Sequence, residues 1–249
     1  CLPVYRTVYQ LSRGPYNLHR VGYNEVMEKE PGQLDFETLY QGFASPTTPL
    51  DCGNLCAPHN PSGKPFCCDI CHAVPVAYKP EWEYLQSNTA LWHIWRGDEC
   101  NEEPVDPADL LADTPEHLLL LSCKGPEHCE RNFRSVSCRQ FPFFPYITSD
   151  FRFIGLAYDW EFKSKCWILS HLDQVTAQYR QEFVQTFDTI FSYRMDDFDS
   201  YTALSEETRE HYLSIRRRIP LLHRNGHNYL VSPGNEAMKK SEPVQRKNR

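Results

Sequence analysis

The chain has 249 residues, with 33 acidic and 26 basic side chains, and carries a formal net charge of −7. This length is sufficient for a hydrophobic core, and the 24% charged and 41% hydrophobic residues are typical of a globular protein. The acidic balance argues against a nucleic-acid-binding protein that relies on phosphate contacts. No apolar segment approaches the roughly 20 residues that span a bilayer. We therefore expect neither a nucleic-acid partner nor a membrane span.

The first 50 residues contain two short runs of β-type residues, at positions 4–9 and 18–23. Arg13-Gly14-Pro15 lies between them and favours a turn. The sequence therefore predicts a hairpin within an N-terminal β-type segment that covers residues 1–50.

Eleven cysteines are the unusual feature of this composition, and nine of them lie between positions 52 and 138. Spacings of two or three residues within the first group allow a tight loop to turn two sulfurs toward one point. A soft metal ion needs several thiolates at about 2.3 Å from one point. We therefore predict thiolate ligands at Cys52, Cys56, Cys67, Cys68, Cys71, Cys123, Cys129 and Cys138.

Other interpretations of the cysteines stay open at this point. A disulfide scaffold normally has an even number of cysteines and a secretory leader, which would have to precede Cys1. A set of unrelated buried thiols does not account for two tight groups. A thioredoxin-type redox pair at Cys68 and Cys71 requires a βαβ context and few other cysteines.

The pattern of cysteines does not distinguish zinc from iron or an iron–sulfur cluster. His59, His72 and His128 lie within the two groups and are alternative ligands. Arg131, Arg134 and Arg139 follow Cys129 closely, and a guanidinium beside a thiolate favours its ionised form. Arg139 is the best candidate for a residue that supports the bound cofactor. The cysteines predicted to be spare are Cys1, Cys100 and Cys166.

These motifs resemble the YkgJ-type cysteine-cluster family of zinc- or iron-chelating proteins. The resemblance covers residues 50–146 and is most specific at Cys138-Arg139-Gln140-Phe141-Pro142. The family's first cluster is tighter, since residues 57–66 separate Cys56 from Cys67 here. The resemblance implies metal chelation and does not imply a reaction.

Between and after the cysteine groups the patterns are mixed. Apolar periodicity predicts a helix over residues 80–95, followed by an acidic loop at 97–107. Residues 116–121 fit either a buried strand or the end of a helix. Alternating aromatic residues between Phe151 and Phe162 predict one or two strands around Gly155.

Two helices are predicted in the C-terminal part. The first begins with Ser170 as its N-cap and runs to about Tyr193, with an aromatic stripe on its core face. The second begins at Ser205 and ends with Arg216 to Arg218, before Pro220. From Ser232 onward the composition predicts a disordered tail.

Together these patterns predict an α+β protein with an irregular, cysteine-rich metal-binding core, flanking helices and short antiparallel strands. The core occupies residues 51–146, a region of strands and helices follows at 147–231, and the tail covers 232–249. We expect a cytoplasmic protein whose partner is a metal ion, either zinc or iron in ionic or iron–sulfur form. An iron–sulfur enzyme that transfers electrons or modifies another protein is the alternative, and the sequence identifies no protein partner and no substrate.

Overall fold

The computed structural model describes residues 34–100, 107–112 and 114–241, together with the backbone of a short strand at Arg6–Thr7. Helices and strands are mixed along the chain, and all strand pairs of the two larger sheets are antiparallel. The predicted α+β class is confirmed at this level.

Side-chain caps start several of the helices. Asp35 Oδ1 accepts a hydrogen bond from Glu37 N at 3.1 Å, and Thr176 Oγ1 accepts one from Tyr179 N at 3.1 Å, as N-cap residues do. Within the described ranges, no helix has the length and apolar character that crossing a membrane requires. The helices are α1 (Phe36–Gly42), α2 (Cys52–Cys56), α3 (Lys79–Asn88), α4 (Pro107–Ala112), α5 (Val136–Gln140), α6 (Ala177–Tyr193) and α7 (Met195–Ser214).

The strands form a five-stranded sheet, a three-stranded sheet and one parallel pair. The strands are β1 (Arg6–Thr7), β2 (Ala73–Val74), β3 (Val76–Tyr78), β4 (Trp92–Ile94), β5 (Leu118–Cys123), β6 (Phe143–Ile147), β7 (Phe153–Tyr158), β8 (Ile219–His223), β9 (Asn228–Val231) and β10 (Met238–Lys240).

The smaller sheet has the order β3-β5-β4, and β1 pairs in parallel with β2 beside it. Central strand β5 aligns Leu119 with Ala77 of β3 and Cys123 with Trp92 of β4. Helix α5 contacts β3, because Ser137 Oγ donates to Val76 O at 2.7 Å. These contacts bring Cys123 and the helix that contains Cys138 to the same sheet.

The larger sheet has the order β10-β9-β8-β7-β6, and helices α6 and α7 pack against it. Phe183, Phe187 and Ile190 of α6 are fully buried, which confirms the predicted core face. The ring of Phe187 lies 5.5 Å from that of Tyr201 in α7 and meets it edge to face. The main hydrophobic core therefore lies between this helix pair and the larger sheet.

Several predicted boundaries are wrong because tertiary pairing overrides local periodicity. Helix α3 ends at Asn88, and residues 92–94 instead form β4, which pairs with β5. Residues 116–121, whose pattern fits either a strand or a helix end, contribute most of β5. The prediction of one or two strands around Gly155 is confirmed by the single strand β7, which Trp160–Phe162 follows as a 3-10 turn.

The C-terminal helices also begin elsewhere. Ser170 ends a 3-10 turn, and the N-cap of α6 is Thr176, whose hydroxyl caps the helix. Helix α7 begins at Met195 rather than Ser205. Asp196 and Asp197 lie in its first turn, where the helix dipole stabilises carboxylates. A carboxylate pair directly after the end of the preceding aromatic stripe was the signal for this start.

The predicted disordered tail is wrong for residues 232–241. Strand β10 pairs with β9, and Glu236 accepts hydrogen bonds from Ser149 N at 2.9 Å and Arg209 Nη1 at 3.2 Å. The predicted hairpin at 4–9 and 18–23 lies outside the described residues, apart from strand β1. The segment 1–50 is not wholly of β type, since it contains α1.

Gly155 offers a direct test of the packing of the larger sheet. A Cβ at this position would lie 2.4 Å from Leu222 O in the neighbouring strand, whereas a Cβ at Gly42 meets nothing within 4 Å. We expect Gly155→Ala to lower the free energy of unfolding by about 3 kcal/mol or more, because backbone atoms must separate. Gly42→Ala is the matched control and should change it by about 0.5 kcal/mol or less. Urea unfolding measures both, and similar values for the two variants would contradict the close approach of β7 and β8 at Gly155.

Candidate metal centre

A cavity of about 280 Å³ opens beside the smaller sheet and is lined by five free cysteines. We call this cavity the thiol pocket. Its apolar wall includes Ile70, Ala73 and Trp92. The five cysteines that define it are Cys67, Cys68, Cys123, Cys129 and Cys138.

Four separate pieces of chain bring these thiols together. Cys67 and Cys68 lie in a 3-10 turn at Phe66–Cys68, and their sulfurs are 3.8 Å apart. Cys123 ends β5, Cys129 follows the 3-10 turn Pro126–His128, and Cys138 lies within α5. Two cysteines of the first sequence group, Cys67 and Cys68, therefore line the same cavity as the three cysteines of the second group.

Asp69 fixes the loop that contains Cys67 and Cys68. Its carboxylate accepts hydrogen bonds from Asn60 Nδ2 at 2.9 Å, Ser62 Oγ at 2.7 Å and Cys71 N at 3.1 Å. Burial alone would raise the pKa of Asp69, but these hydrogen bonds lower it below its usual value. The residues between Cys56 and Cys67 thus have a structural role, because they provide the donors that hold an ionised Asp69.

Arg134 is the cation among the pocket thiols. Its Nη2 donates to Cys138 O at 2.9 Å, and its side chain lines the cavity. Burial by itself would lower the pKa of Arg134, but the surrounding sulfurs of Cys138, Cys67 and Cys68 raise it overall. The guanidinium therefore stays charged, and it would offset the negative charge of these thiols when they ionise.

The surroundings of four pocket thiols, those of Cys68, Cys123, Cys129 and Cys138, raise their pKa values and so favour the protonated form. Burial raises the pKa of Cys138 to about 12, even though Arg134 opposes this shift. The pKa of Cys68 is raised by its hydrogen bond with Cys67 and by burial, and burial also raises the pKa values of Cys123 and Cys129. A metal that binds here must displace these protons, so its affinity depends on pH.

The donor set fits a soft metal, but the sulfurs line a cavity and do not converge on one point. Two thiolates on one zinc ion in a tetrahedral site lie about 3.8 Å apart, which is the separation of the Cys67 and Cys68 sulfurs. However, among the described residues no three His, Cys, Asp or Glu side chains are arranged to hold an ion. The structure thus shows a thiol-lined cavity, and the predicted metal-binding core is not shown among the described residues.

Cys71 corrects the predicted ligand set. It forms a disulfide with Cys100, with Cα atoms 5.2 Å apart, so its sulfur is not a free thiol in this structure. Cys100 is correspondingly not a spare thiol. Local spacing groups Cys71 with Cys68, whereas the fold brings the segment after β4 against Cys71.

Cys52 and Cys56 do not line the thiol pocket. Both lie in α2, where Cys56 Sγ donates to Cys52 O at 3.0 Å. Helix α2 contacts the 3-10 turn at Trp167–Ser170, which follows Cys166. Burial raises the pKa of Cys166 to about 12, and the nearby sulfurs of Cys56 and Cys52 add to this shift. Cys166 therefore has thiol neighbours, which no spacing in the sequence indicated.

Arg139 holds backbone rather than pocket thiols. Its guanidinium donates to the carbonyl oxygens of Phe43 and of Tyr40 (3.1 Å), and it lies 4.1 Å above the Tyr40 ring. It also donates to Arg134 O at 2.8 Å and Asn132 O at 2.7 Å. The structure thus places Arg139 as a support for the loop that positions Arg134, and not against a cofactor in the pocket.

The three histidines considered as ligands also lie away from the pocket lining. His59 and His128 are exposed, and the ring of His72 packs 5.1 Å from that of Phe66. His93, Lys64 and Lys124 line the pocket instead. They come from β4 and from loops next to the cysteines. None of them belongs to a sequence motif that would predict this placement.

Glu81 connects helix α3 to helix α5, which contains the pocket residue Cys138. Its carboxylate accepts hydrogen bonds from the Tyr40 hydroxyl at 2.6 Å, Val136 N at 2.7 Å and Tyr78 N at 3.1 Å. Because Val136 begins α5, these contacts set the position of the helix that contains Cys138. Burial raises the pKa of Glu81 to about 7, although the three hydrogen bonds oppose the shift.

Comparison of the chain with models of protein families, with curated proteins and with solved structures found no match. The thiol pocket is therefore interpreted from its own geometry and chemistry.

The pKa of Glu81 predicts a specific pH dependence of stability. Between about pH 4.3 and 7 the folded protein keeps a proton on Glu81 that the unfolded chain has lost, so the free energy of unfolding falls as pH rises. Glu81→Gln abolishes this titration. We expect the stability of the wild-type protein, relative to the variant, to fall by about 2 to 3 kcal/mol between pH 5 and pH 8. Urea unfolding under anaerobic conditions measures this, and parallel curves for the two proteins would show that Glu81 does not titrate in this range.

Proposed function

We propose that this protein is a metal-binding protein that holds zinc or iron through the thiolates of the thiol pocket. The observation that supports this function is the meeting of five free thiols from four chain segments around one cavity that also contains Arg134. Buried thiols are neutral and need no cation beside them. Four thiolates around Zn²⁺ leave a net charge of −2, which a nearby cation stabilises.

The residues that would hold the metal are Cys67, Cys68, Cys123, Cys129 and Cys138. Asp69 and Glu81 fix the two segments that contain most of these thiols, so the ligands come from positioned backbone. Arg134 would offset the charge of the thiolates. Ile70 and Trp92 form an apolar wall that would limit access of water.

An iron–sulfur cluster is a second candidate for the bound group. The cavity of about 280 Å³ that the five thiols help to line has room for a cluster as well as for a single ion. When bound, such a cluster supplies one-electron transfer, with thiolates as its protein ligands. An enzyme that transfers electrons or modifies a partner is consistent with a cluster in an open pocket.

Binding through thiolates requires that the pocket cysteines stay reduced. We therefore propose a reducing compartment, in line with a cytoplasmic protein. Eight cysteines are free in the described part of the chain, so oxidising surroundings would put these ligands at risk of pairing.

Anaerobic purification tests this function. The protein is expressed in medium that contains both iron and zinc, and metal, acid-labile sulfide and the visible spectrum are measured. A colourless protein with stoichiometric zinc supports a zinc site, and iron with sulfide and a brown chromophore supports a cluster. A reduced, folded protein that contains neither metal, and takes up neither on reconstitution, would overturn the proposed function.

A matched pair of cysteine variants tests the position of the site. Cys138→Ser removes a pocket thiol and should reduce bound metal by at least half. Cys166→Ser removes a buried thiol that lies outside the pocket lining, and should leave the metal content unchanged. Metal content is compared at equal protein concentration after far-UV circular dichroism confirms that both variants are folded. Equal losses in the two variants would place the site elsewhere.

A further inference from the structure

The disulfide between Cys71 and Cys100 joins two walls of the thiol pocket. Cys71 lies between Ile70 and Ala73, and both of these residues line the cavity. Cys100 directly follows Glu99, which lines the cavity from the opposite segment together with Arg96. The disulfide therefore forms a covalent link at the edge of the proposed metal site.

The two residues of this disulfide differ in their exposure to solvent. Cys100 is only 3% exposed, whereas Cys71 is partly exposed. An incoming thiolate therefore reaches Cys71 Sγ more readily than Cys100 Sγ. Its attack forms a mixed disulfide with Cys71, and Cys100 departs as a thiolate.

The two walls are also held in different ways. The backbone at Cys71 is fixed without the disulfide, since Cys71 N donates to Asp69 Oδ1 at 3.1 Å and Ala73 N donates to Asp69 O at 3.0 Å. The segment before Cys100 has local contacts, in which the Glu99 carboxylate accepts from Arg96 N at 3.0 Å and lies 3.3 Å from His93 Nε2. Loss of the disulfide therefore leaves Cys71 at the edge of the pocket and releases Cys100.

We propose that the disulfide of Cys71 and Cys100 is a redox latch that controls metal loading of the thiol pocket. A dithiol reductant opens the latch. Its first thiolate attacks Cys71 Sγ, its second thiol then resolves the mixed disulfide, and two protons and two electrons pass to Cys71 and Cys100 while the reductant becomes a disulfide. Reduced Cys71 then stands two residues after Asp69 and three after Cys68, a spacing at which two sulfurs turn toward one metal ion. Oxidation removes this ligand and clamps the walls together. This inference rests on the proposed metal-binding function.

Binding of Co²⁺ to the metal-free full chain tests the latch, since thiolate ligation of Co²⁺ produces charge-transfer absorption. Wild-type protein with the disulfide intact is compared with protein that has been reduced by dithiothreitol and desalted anaerobically. Mass spectrometry after alkylation confirms the state of Cys71 and Cys100 in each sample. We expect reduction to tighten Co²⁺ binding at least tenfold.

Two single variants separate the contribution of the ligand from that of the clamp. Cys100→Ser leaves Cys71 as a permanent free thiol and should match the reduced wild-type protein without any reductant. Cys71→Ser also lacks the disulfide but has no thiol at this position, and should keep the weaker affinity. Circular dichroism checks that both variants fold. If one of them does not fold, the comparison of the oxidised and reduced wild-type protein decides the test.

The outcomes distinguish the latch from the function on which it rests. Equal affinity of oxidised and reduced wild-type protein, or equal affinity of the two variants, would overturn the latch while metal binding stands. If no sample binds Co²⁺ in thiolate form, the proposed function fails and the latch fails with it.

Discussion

The guanidinium of Arg139 is the interaction on which the pocket depends. It donates to backbone carbonyl oxygens at Tyr40, Phe43, Asn132 and Arg134, and so joins helix α1 to the loop before α5. The Phe43 carbonyl is buried and would lose this donor without Arg139, and an unsatisfied buried acceptor costs about 1 to 3 kcal/mol. Because Arg139 also donates to the carbonyls of Asn132 and Arg134, it holds the loop from which the Arg134 side chain reaches the pocket lining. The support and the charge of the pocket are thus provided by two arginines of one short segment.

Glu81 acts together with Arg139. Its carboxylate accepts hydrogen bonds from the Tyr40 hydroxyl and from Val136 N at the start of α5, and the Tyr40 ring lies against Arg139. The negative charge of an ionised Glu81 and the positive charge of Arg139 therefore act on the same buried region. This network links α1, α3 and α5 without a direct ion pair. As a result, helix α5 is held at its first residue, Val136, and at Arg139 near its end. The position of the Cys138 thiol between them therefore follows from the fold.

That thiols from both cysteine groups line one cavity was predictable from the sequence, but the arrangement of their sulfurs was not. Close spacing in each cysteine group predicts tight turns, and both groups do meet at Cys68, Cys123 and Cys138. The pairing of Cys71 with Cys100 depends on β4, which forms because β5 offers it an antiparallel partner. The helical periodicity of residues 80–95 predicts a helix where this strand forms. The sequence therefore predicted no neighbour for the following segment, which contains Cys100. The sequence also favoured Arg139 as the arginine beside a cofactor, whereas Arg134 lines the pocket, because neighbouring positions do not tell which guanidinium reaches the thiols.

The fold also constrains how the proposed metal binding would be coupled to folding. Small metal domains unfold without their ion because the site replaces a core. Here the core of α6, α7 and the larger sheet is closed by Phe183, Phe187 and Tyr201, at a distance in sequence from all five pocket thiols. The loops that contain the thiols are anchored by Asp69, Glu81 and Arg139 through hydrogen bonds to protein atoms. A bound metal would therefore stabilise the pocket locally, in a chain whose fold already has its own core. Such a site can be loaded, emptied and controlled without loss of the structure that presents it.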